Sequence, residues 1–541
     1  MTVNLLDWDE DLQVSPDEEY RALLNGLRRT KGFGLFFVQC SPFSGGKLIE
    51  RVQADLTEKT IGVLKFEHAI TDGNVFKRVS EFLAKFPADV LFIQGLENSL
   101  FDAEETKKRM DWIDEKVHAY TWREVPPVLI NLNQQRERFR DSFATCFVFL
   151  LPQYAINYIV HRAPDFFDWR SGLVNYVSDL ETLEKESKRI LAEEADYQAY
   201  CKWSSDERKS RIFLIQCFLD ESRIQNQERA RFYFEQGLLF SASGDNEVAI
   251  SNYDKAINLK PDHFDAFRGK GGSLHDLGHI ELAINHYDLA LKINPQDHKS
   301  LYNKGLALSD LGCKQEAIAC YDDALALKPD LHVALFNKGN ALSDLGRQLK
   351  EQGNEEEALA KLSEGIACYD NALALKPDLH VALFNKGLAL SALGRKQEAI
   401  ACYDDALALK PDKYEALFNK GLALYDLGRK QEAIACYDDA LAIKPDLHEA
   451  LYNKGTALYA LGRLDAAIAC YDTALALKAD FHEALFNKAL CCAQLGDLES
   501  GVNALQQAVT LNPQYRQTAK QAWEFAPIRH DERFRALLEG E

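Results

Sequence analysis

The chain reads as an α/β domain built on a parallel sheet, followed by an all-α solenoid of stacked helical hairpins. Three observations predict this. Pro261, Pro295, Pro329, Pro377, Pro411, Pro445 and Pro513 are spaced by 34 residues or twice 34, except for one gap of 48. Between them a block of the type Leu417-Phe-Asn-Lys-Gly-Leu-Ala-Leu-Tyr-Asp-Leu-Gly428 recurs, and such a period marks stacked helical units that bury their faces only against neighbours. In residues 1–177, by contrast, apolar runs rich in β-formers alternate with amphipathic stretches, the pattern of βαβ units.

The strand-like runs are 34–40, 61–66, 89–94, 127–131 and 146–151. They are almost continuously apolar, as strands covered on both faces must be. Helical patterns at 47–59, 74–86, 104–119 and 134–142 separate them. Residues 178–227 are charged, poor in Gly and Pro, and read as a helical connector. Eight repeats follow over 228–513: 228–261, 262–295, 296–329, 330–377, 378–411, 412–445, 446–479 and 480–513. Residues 514–541 read as capping helices, with Trp523 and Phe525 as the apolar contacts that close the stack.

Within a repeat, 301–311 forms the first helix, Gly312 ends it, 316–327 forms the second, and Pro329 stops that one. Small residues stand where the helices must approach closely: Gly305, Ala317 and Ala324, with Tyr321 filling the space between neighbours. The order Gly, Ala, aromatic, Ala, Pro recurs at Gly387, Ala399, Tyr403, Ala406, Pro411 and at Gly421, Ala433, Tyr437, Ala440, Pro445. This resembles the tetratricopeptide repeat (TPR) family, which implies a right-handed superhelix that binds protein or peptide partners in a concave groove. The fourth repeat carries 14 extra residues, with its turn moved to Gly353-Asn354. Shared as seven per helix, they add two turns to each without rotating the buried face, and predict a hairpin projecting about 10 Å.

Composition narrows the function. Of 541 residues, 47% are hydrophobic and the net charge is −20, which argues against nucleic-acid binding because phosphates call for basic stripes. The N-terminus lacks the basic and apolar regions of a signal peptide, and no apolar stretch reaches membrane length. Five of the 12 cysteines (Cys320, Cys368, Cys402, Cys436, Cys470) hold the same slot in successive repeats. They read as reduced packing residues, and so point to a cytoplasmic location. No metal site is expected: His275 and His279 are four apart, but Gly278 breaks the helix between them.

Six asparagines, Asn303, Asn337, Asn385, Asn419, Asn453 and Asn487, share one register of the first helices. An amide offers a donor and an acceptor together, matching the N–H and C=O of any main chain. The register resembles that of the TPR arms of O-linked GlcNAc transferases, which implies that these residues face the groove and hold an extended peptide. Ser309, Asp310, Ser343, Asp344, Tyr425 and Asp426 would then tune selectivity. The other reading is that the asparagines are copied with the repeat and bond within the stack. Repeats 1 and 2 depart, with Glu235 and Gly269 in that register. Lys304, Lys338, Lys386, Lys420, Lys454 and Lys488 follow each Asn and by register point away from the groove.

In the α/β part, Ser41-Pro-Phe-Ser-Gly-Gly-Lys47-Leu48 follows the first strand. A phosphate loop of the form G-x-x-x-x-G-K-[ST] needs a first glycine, here Ser41, and a hydroxyl on Mg²⁺, here Leu48. Val90-Leu-Phe-Ile-Gln-Gly-Leu-Glu97 is similar to the h-h-h-D-G-L-[DE] strand of STAND-type signalling ATPases, with Gln94 in place of the metal-side Asp and Glu97 retained. The resemblance implies a P-loop-NTPase-like domain, and residues 132–139, 150–155 and 163–172 resemble a module found ahead of TPR arrays in bacterial, notably cyanobacterial, proteins. The candidate nucleotide-binding residues are Ser44, Gly45, Gly46, Lys47 and Glu97. Three readings stand: a plain α/β support, ATP binding without turnover, or hydrolysis, for which the metal ligands are missing. The chain is therefore expected to be a protein-binding scaffold or sensor, with no catalytic residue, no metal and ATP as the one cofactor to consider. The alternative is a STAND-like nucleotide-dependent switch with the repeats as its sensor.

Overall fold

Strand β1 (Gly34–Gln39) sits inside a five-stranded sheet of order β2-β3-β4-β1-β5, with β2 Ile61–Lys65, β3 Val90–Gln94, β4 Cys146–Leu151 and β5 Gly172–Asn175. All neighbouring pairs are parallel, and β1 runs in register with β4 from Gly34↔Cys146 to Gln39↔Leu151. The computed structural model describes residues 16–100, 125–176, 180–220 and 223–539. The helical pattern at 104–119 lies outside them. Alternate residues of each central strand feed two cores. Leu35, Phe37, Ile93 and Phe149 pack on one face with Val79, Leu129, Ile156 and Phe166, while Phe36, Val38, Phe92 and Val148 pack on the other with Leu23, Leu48 and Val52. Helices therefore cover both faces: α1 (Pro16–Arg29) and α2 (Pro42–Asp55) on one, and α3 (Val75–Lys85), α4 (Pro127–Ser142), α5 (Gln153–Arg162) and α6 (Pro164–Phe167) on the other.

Two details correct the sequence reading. The run 127–131 is the start of α4 rather than a strand. Pro127 occupies the first helical position, where proline is favoured, and Val128, Leu129, Leu132 and Phe139 form one buried helical face. A short apolar run cannot by itself separate the two periods. The fifth strand is instead β5, an edge strand whose one buried residue, Val174, leaves no periodic signal.

Three helices form the connector: α7 (Leu180–Ala192), α8 (Tyr197–Lys202) and α9 (Ser205–Leu219). They meet the first repeat through a buried polar cluster. Glu235 Oε1 accepts from Tyr200 Oη at 2.6 Å and from Arg211 Nε at 2.7 Å, while Arg211 Nη2 donates to the Ile190 carbonyl at 2.7 Å. Glu235 thus ties the connector down instead of lining a groove. In repeat 2, a side chain at Gly269 would strike the Tyr253 ring, whose nearest atom lies 2.7 Å from the place a Cβ would take. The contacts of Glu235 account for the departure of repeat 1 from the asparagine register. The chain divides into two compact units, Met1–His279 and Ile280–Glu541.

In the second unit each hairpin has the same anatomy. The first helices are His298–Asp310, His332–Glu351, His380–Ala392, Tyr414–Asp426, His448–Tyr459 and His482–Leu495. In repeats 3 to 7 the tyrosine of the second helix is fully buried against the glycine of the first, and in repeat 8 Leu505 and Ala489 take these places. A Cβ on Gly305, Gly387 or Gly421 would lie 2.5–2.6 Å from Cε1 of Tyr321, Tyr403 or Tyr437. Cysteines 320, 368, 402, 436 and 470 are buried beside these tyrosines, and all twelve thiols of the chain are free.

The fourth hairpin is longer as expected. Its helices have 20 and 21 residues, His332–Glu351 and Glu355–Leu375, against 13 and 14 in repeat 3. Gly353, at φ +83°, makes the displaced turn, and Gly346 becomes a buried helical residue against Leu362. At the C-terminal end, Gln514–Gln521, a 3-10 turn Trp523–Ile528 and Glu532–Glu539 close the stack. Phe525, Ile528 and Phe534 are buried there. Trp523 is 69% exposed, so it is not the cap contact its aromatic character suggested; the next apolar residue, Phe525, takes that place beside Phe486. No described helix is long and apolar enough to cross a membrane.

Replacing Gly421 by Ala tests the glycine–tyrosine contact. Alanine is the better helix former by about 1 kcal/mol, yet overpacking against Tyr437 is expected to cost a net ~1–3 kcal/mol. A lower urea midpoint is the expected outcome; a midpoint equal to or above wild type would mean that the ring simply moves aside.

Candidate functional site

Two regions hold the residues singled out by the sequence. The first is the face of the repeat array formed by first helices. In Ile280–Glu541 these pack directly on one another from repeat to repeat, more closely than the second helices do. The array therefore curves with first helices on its inner side. All six asparagines lie on them and all are half-buried.

Their hydrogen bonds follow from one preceding residue. Where the previous repeat has a tyrosine just before its own Asn, the next Asn donates to it: Asn337 Nδ2 to Tyr302 Oη at 3.0 Å, and Asn487 Nδ2 to Tyr452 Oη at 3.2 Å. Where that residue is Phe336, Phe384 or Phe418, no such acceptor exists. Asn385 then donates to Asn340 Oδ1 at 2.8 Å. Asn419 and Asn453 turn back to their own helix, donating to the carbonyls of Glu415 and Glu449 at 2.7 and 2.9 Å. Each of these contacts uses one N–H of an amide that has a second N–H and an oxygen.

The lysines beside the asparagines are engaged elsewhere. Lys304, Lys386, Lys420, Lys454 and Lys488 pair with Asp288, Asp370, Asp404, Asp438 and Asp472 of the preceding second helix at 2.5–2.6 Å. Lys338 pairs in the same way with Asp322. The partly exposed pairs are each worth at most ~1 kcal/mol, but they turn all six lysines toward the second helices.

The second region is the carboxyl end of the sheet. The connection leaving β1 runs over the face covered by α2, and the one leaving β4 runs over the opposite face through α5 and α6. The crevice between these adjacent strand ends is a topological switch point, where open α/β sheets bind ligands. A cavity of about 320 Å³ opens there, lined among others by Ser41, Gly45, Lys65, Gln94, Glu97 and, from α9, Phe213. Of the five candidate nucleotide-binding residues, Gly45 and Glu97 line it.

Local geometry explains both. Gly95 has φ +80°, and a Cβ on it would fall 1.9 Å from the Phe66 carbonyl oxygen, so only glycine makes the turn that brings Glu97 to the cavity. Glu97 is 6% exposed and its Oε2 has no hydrogen-bond partner among the described residues. Burial pushes its carboxyl up to about 7, against the lowering effect of the backbone N–H groups of Glu97 and Gly95.

The glycine-rich segment does not form a separate loop, because α2 begins at Pro42 and takes Ser44 to Lys47 into its first turns. The N–H groups of Ser44 and Gly45 both donate to the Ser41 carbonyl at 3.1 Å, rather than pointing into the cavity. Gly45 packs closely under Gln94, whose Nε2 lies 2.8 Å from the place a Cβ would take and would have to shift for a side chain there. Lys47 is exposed on the helix, and Leu48 is buried in the core.

Comparison with known proteins bears on the repeats. Residues 234–298, 350–404, 384–448 and 452–516 match a tetratricopeptide-repeat family model, and 298–331 match a second model of the same repeat. No curated protein matches the chain. Among solved structures it is similar to YrrB, described as a TPR protein with an unusual peptide-binding site, at 20% identity over 37% of this chain and 97% of that one, TM-score 0.33. A tetratricopeptide repeat protein of Parabacteroides merdae is 15% identical over 49% and 99%, TM-score 0.35. A thermophilic TPR protein of Thermus thermophilus is 25% identical over 36% and 99%, TM-score 0.29. The C-terminal half of the chain is thus an array of tetratricopeptide repeats.

Glu97 carries a pH signature. Its folded-state value lies above the ordinary 4.5, so the folded protein holds the proton more tightly and loses stability as pH rises from about 4.5 to about 7. Glu97→Gln removes this term. The difference in unfolding free energy between variant and wild type should grow in the variant's favour by up to about 3 kcal/mol across that window. Urea unfolding at both ends of the window measures it, and parallel pH profiles would show that Glu97 is solvated.

Proposed function

We propose that the repeat array captures an extended segment of a partner protein along the inner face of its first helices, with the asparagine register holding the segment's main chain. Tetratricopeptide-repeat proteins are typically protein-interaction scaffolds. The observation that carries the reading is the register itself: six half-buried amides, one per repeat, on the side toward which the array curves. Asn303, Asn419 and Asn453 make no bond to another helix among the described residues, and Asn419 and Asn453 need exchange only a bond to their own helix for one to a peptide group. The bonds from Asn337 and Asn487 to tyrosines divide the ladder into held and available rungs. In this reading the α/β domain is a catalytically inactive support, and the whole protein acts as a scaffold or sensor.

The test is direct. Full-length protein carrying Asn303→Ala, Asn419→Ala and Asn453→Ala should bind immobilised extended peptides roughly ten- to hundredfold more weakly, at about 1 kcal/mol per lost hydrogen bond. Its stability should change little, because these three amides bond no other helix among the described residues and substitutions that break no buried network usually stay within about 0.5 kcal/mol each. Equal binding by the variant and wild type would sink the ladder reading.

A second reading is favoured by the cavity at the strand ends: a nucleotide-dependent, STAND-like switch that senses through the repeats. It predicts ATP binding that is lost in Lys47→Ala. Isothermal titration with ATP, with and without Mg²⁺, separates the two, and hydrolysis by wild type alone would replace the inactive-support reading.

A further inference from the structure

The fourth repeat differs from its neighbours at three positions that converge on one cavity. Asn340 stands where Leu306, Leu388, Leu422 and Leu490 stand in other repeats. Gly365 replaces the alanine found at Ala317, Ala399, Ala433 and Ala467, and a Cβ there would come 2.7 Å from Ser343 Oγ. The third position is Arg347. Its counterparts Arg395 and Arg429 cap the second helix and pair with Glu398 and Glu432 on its first turn. Because the long helix runs through Gly346, Arg347 remains on the first helix, three residues beyond Asp344. The result is a polar cavity of about 230 Å³ at the base of the projecting hairpin, lined by Asn340, Ser343, Asp344, Arg347, Tyr369 and Asn385 above an apolar floor.

The donors in this cavity outnumber the acceptors. Asn340 Oδ1 accepts twice, from Tyr369 Oη and from Asn385 Nδ2, both at 2.8 Å. The Asn340 N–H₂ is thereby turned away from both and has no acceptor among the described residues. The one Tyr369 hydroxyl proton goes to Asn340, so Ser343 Oγ, 3.3 Å away, donates to Tyr369 Oη. The lining carboxylate, Asp344, is already matched twice: one oxygen lies 2.5 Å from Arg347 Nη2 and the other 3.6 Å from Lys314 Nζ. The remaining guanidinium N–H groups of Arg347 have no partner among the described residues. Arg347 is the cation among the lining residues and Lys314 draws on Asp344 from outside them, which leaves the unused N–H groups of Arg347 and Asn340 as open donors.

We propose that this cavity is the selectivity pocket of the groove and accepts one acidic side chain, Asp or Glu, of the extended segment. The inference rests on the groove reading and adds to it a residue type and a place. The Asn340 amide and the Arg347 guanidinium together donate to the incoming carboxylate, while Tyr369 and Asn385 hold the Asn340 amide in its donating orientation.

Fluorescence anisotropy on the full-length chain tests this with labelled, short extended peptides of Gly, Ala and Ser, in which Glu, Gln, Lys or Leu is scanned through each position. At one position Glu should bind about tenfold more tightly than Leu or Lys, the effect of charge-assisted hydrogen bonds. Arg347→Gln, at an exposed site, and Asn340→Leu, which restores the residue of the other repeats, should each reduce that preference to about twofold or less while binding of the unsubstituted peptide is retained. A glutamate preference that survives in both variants, or a preference for Lys or Leu in wild type, overturns the pocket and leaves the groove reading standing. No binding of any peptide by wild type overturns both.

Discussion

The contact between a glycine on the first helix and a tyrosine on the second sets the geometry of the repeat array. In repeats 3 to 7 the nearest ring atom is 2.5–2.7 Å from where a Cβ would stand, so the two helices of a hairpin meet at a distance that a side chain larger than glycine's would disturb. That spacing buries the tyrosine completely in each of these five repeats. The neighbouring details depend on it. The lysine that follows each Asn reaches the aspartate of the preceding second helix, and the asparagine itself is brought to the inner face.

The long fourth hairpin shows how such an array tolerates change. Its extra residues are accommodated as seven per helix, close to two turns, so the buried stripe continues in phase. The buried contact is kept, with Gly339 against Tyr369 as in the other hairpins. What changes is the fate of residues near the old turn. Gly346 moves from a turn position into a buried helical one, and Arg347 from a cap onto the first helix. An insertion that leaves the core undisturbed can therefore give one repeat surface chemistry that its neighbours lack.

The α/β domain follows a different rule. Its polar site is defined by topology, since the strands beside the cavity end where their connections diverge to opposite faces. Gly95 and Glu97 lie there because the turn after β3 has no space for a side chain and then delivers a buried carboxylate to the crevice. The connector contributes as well: Phe213 closes the cavity, and Arg211 of the same helix meets the buried Glu235 of the first repeat. A single helix thus touches both the candidate ligand cavity and the start of the repeats. Glu235 is also why the asparagine register cannot extend to the first repeat.

Much of this protein was legible in its sequence, for physical reasons particular to each element. The repeat boundaries, the helix pairing and the even division of the insert follow from local rules: proline stops helices, glycine permits the turn, and helical phase repeats nearly every seven residues. Four of the five strands were likewise readable as apolar runs. Tertiary structure decided the remainder. Residues 127–131 became helix because a proline start and a one-sided burial pattern outweighed β-propensity, and β5 exists only because β1 offers it an edge. Phe525, and not Trp523, closes the stack because the 3-10 turn points the former inward. The asparagines were visible as a register, but which are held and which are available depends on residues 35 to 45 positions away. Local propensity acts over a few residues of chain, whereas a hydrogen bond between repeats exists only once the fold has brought its partners together.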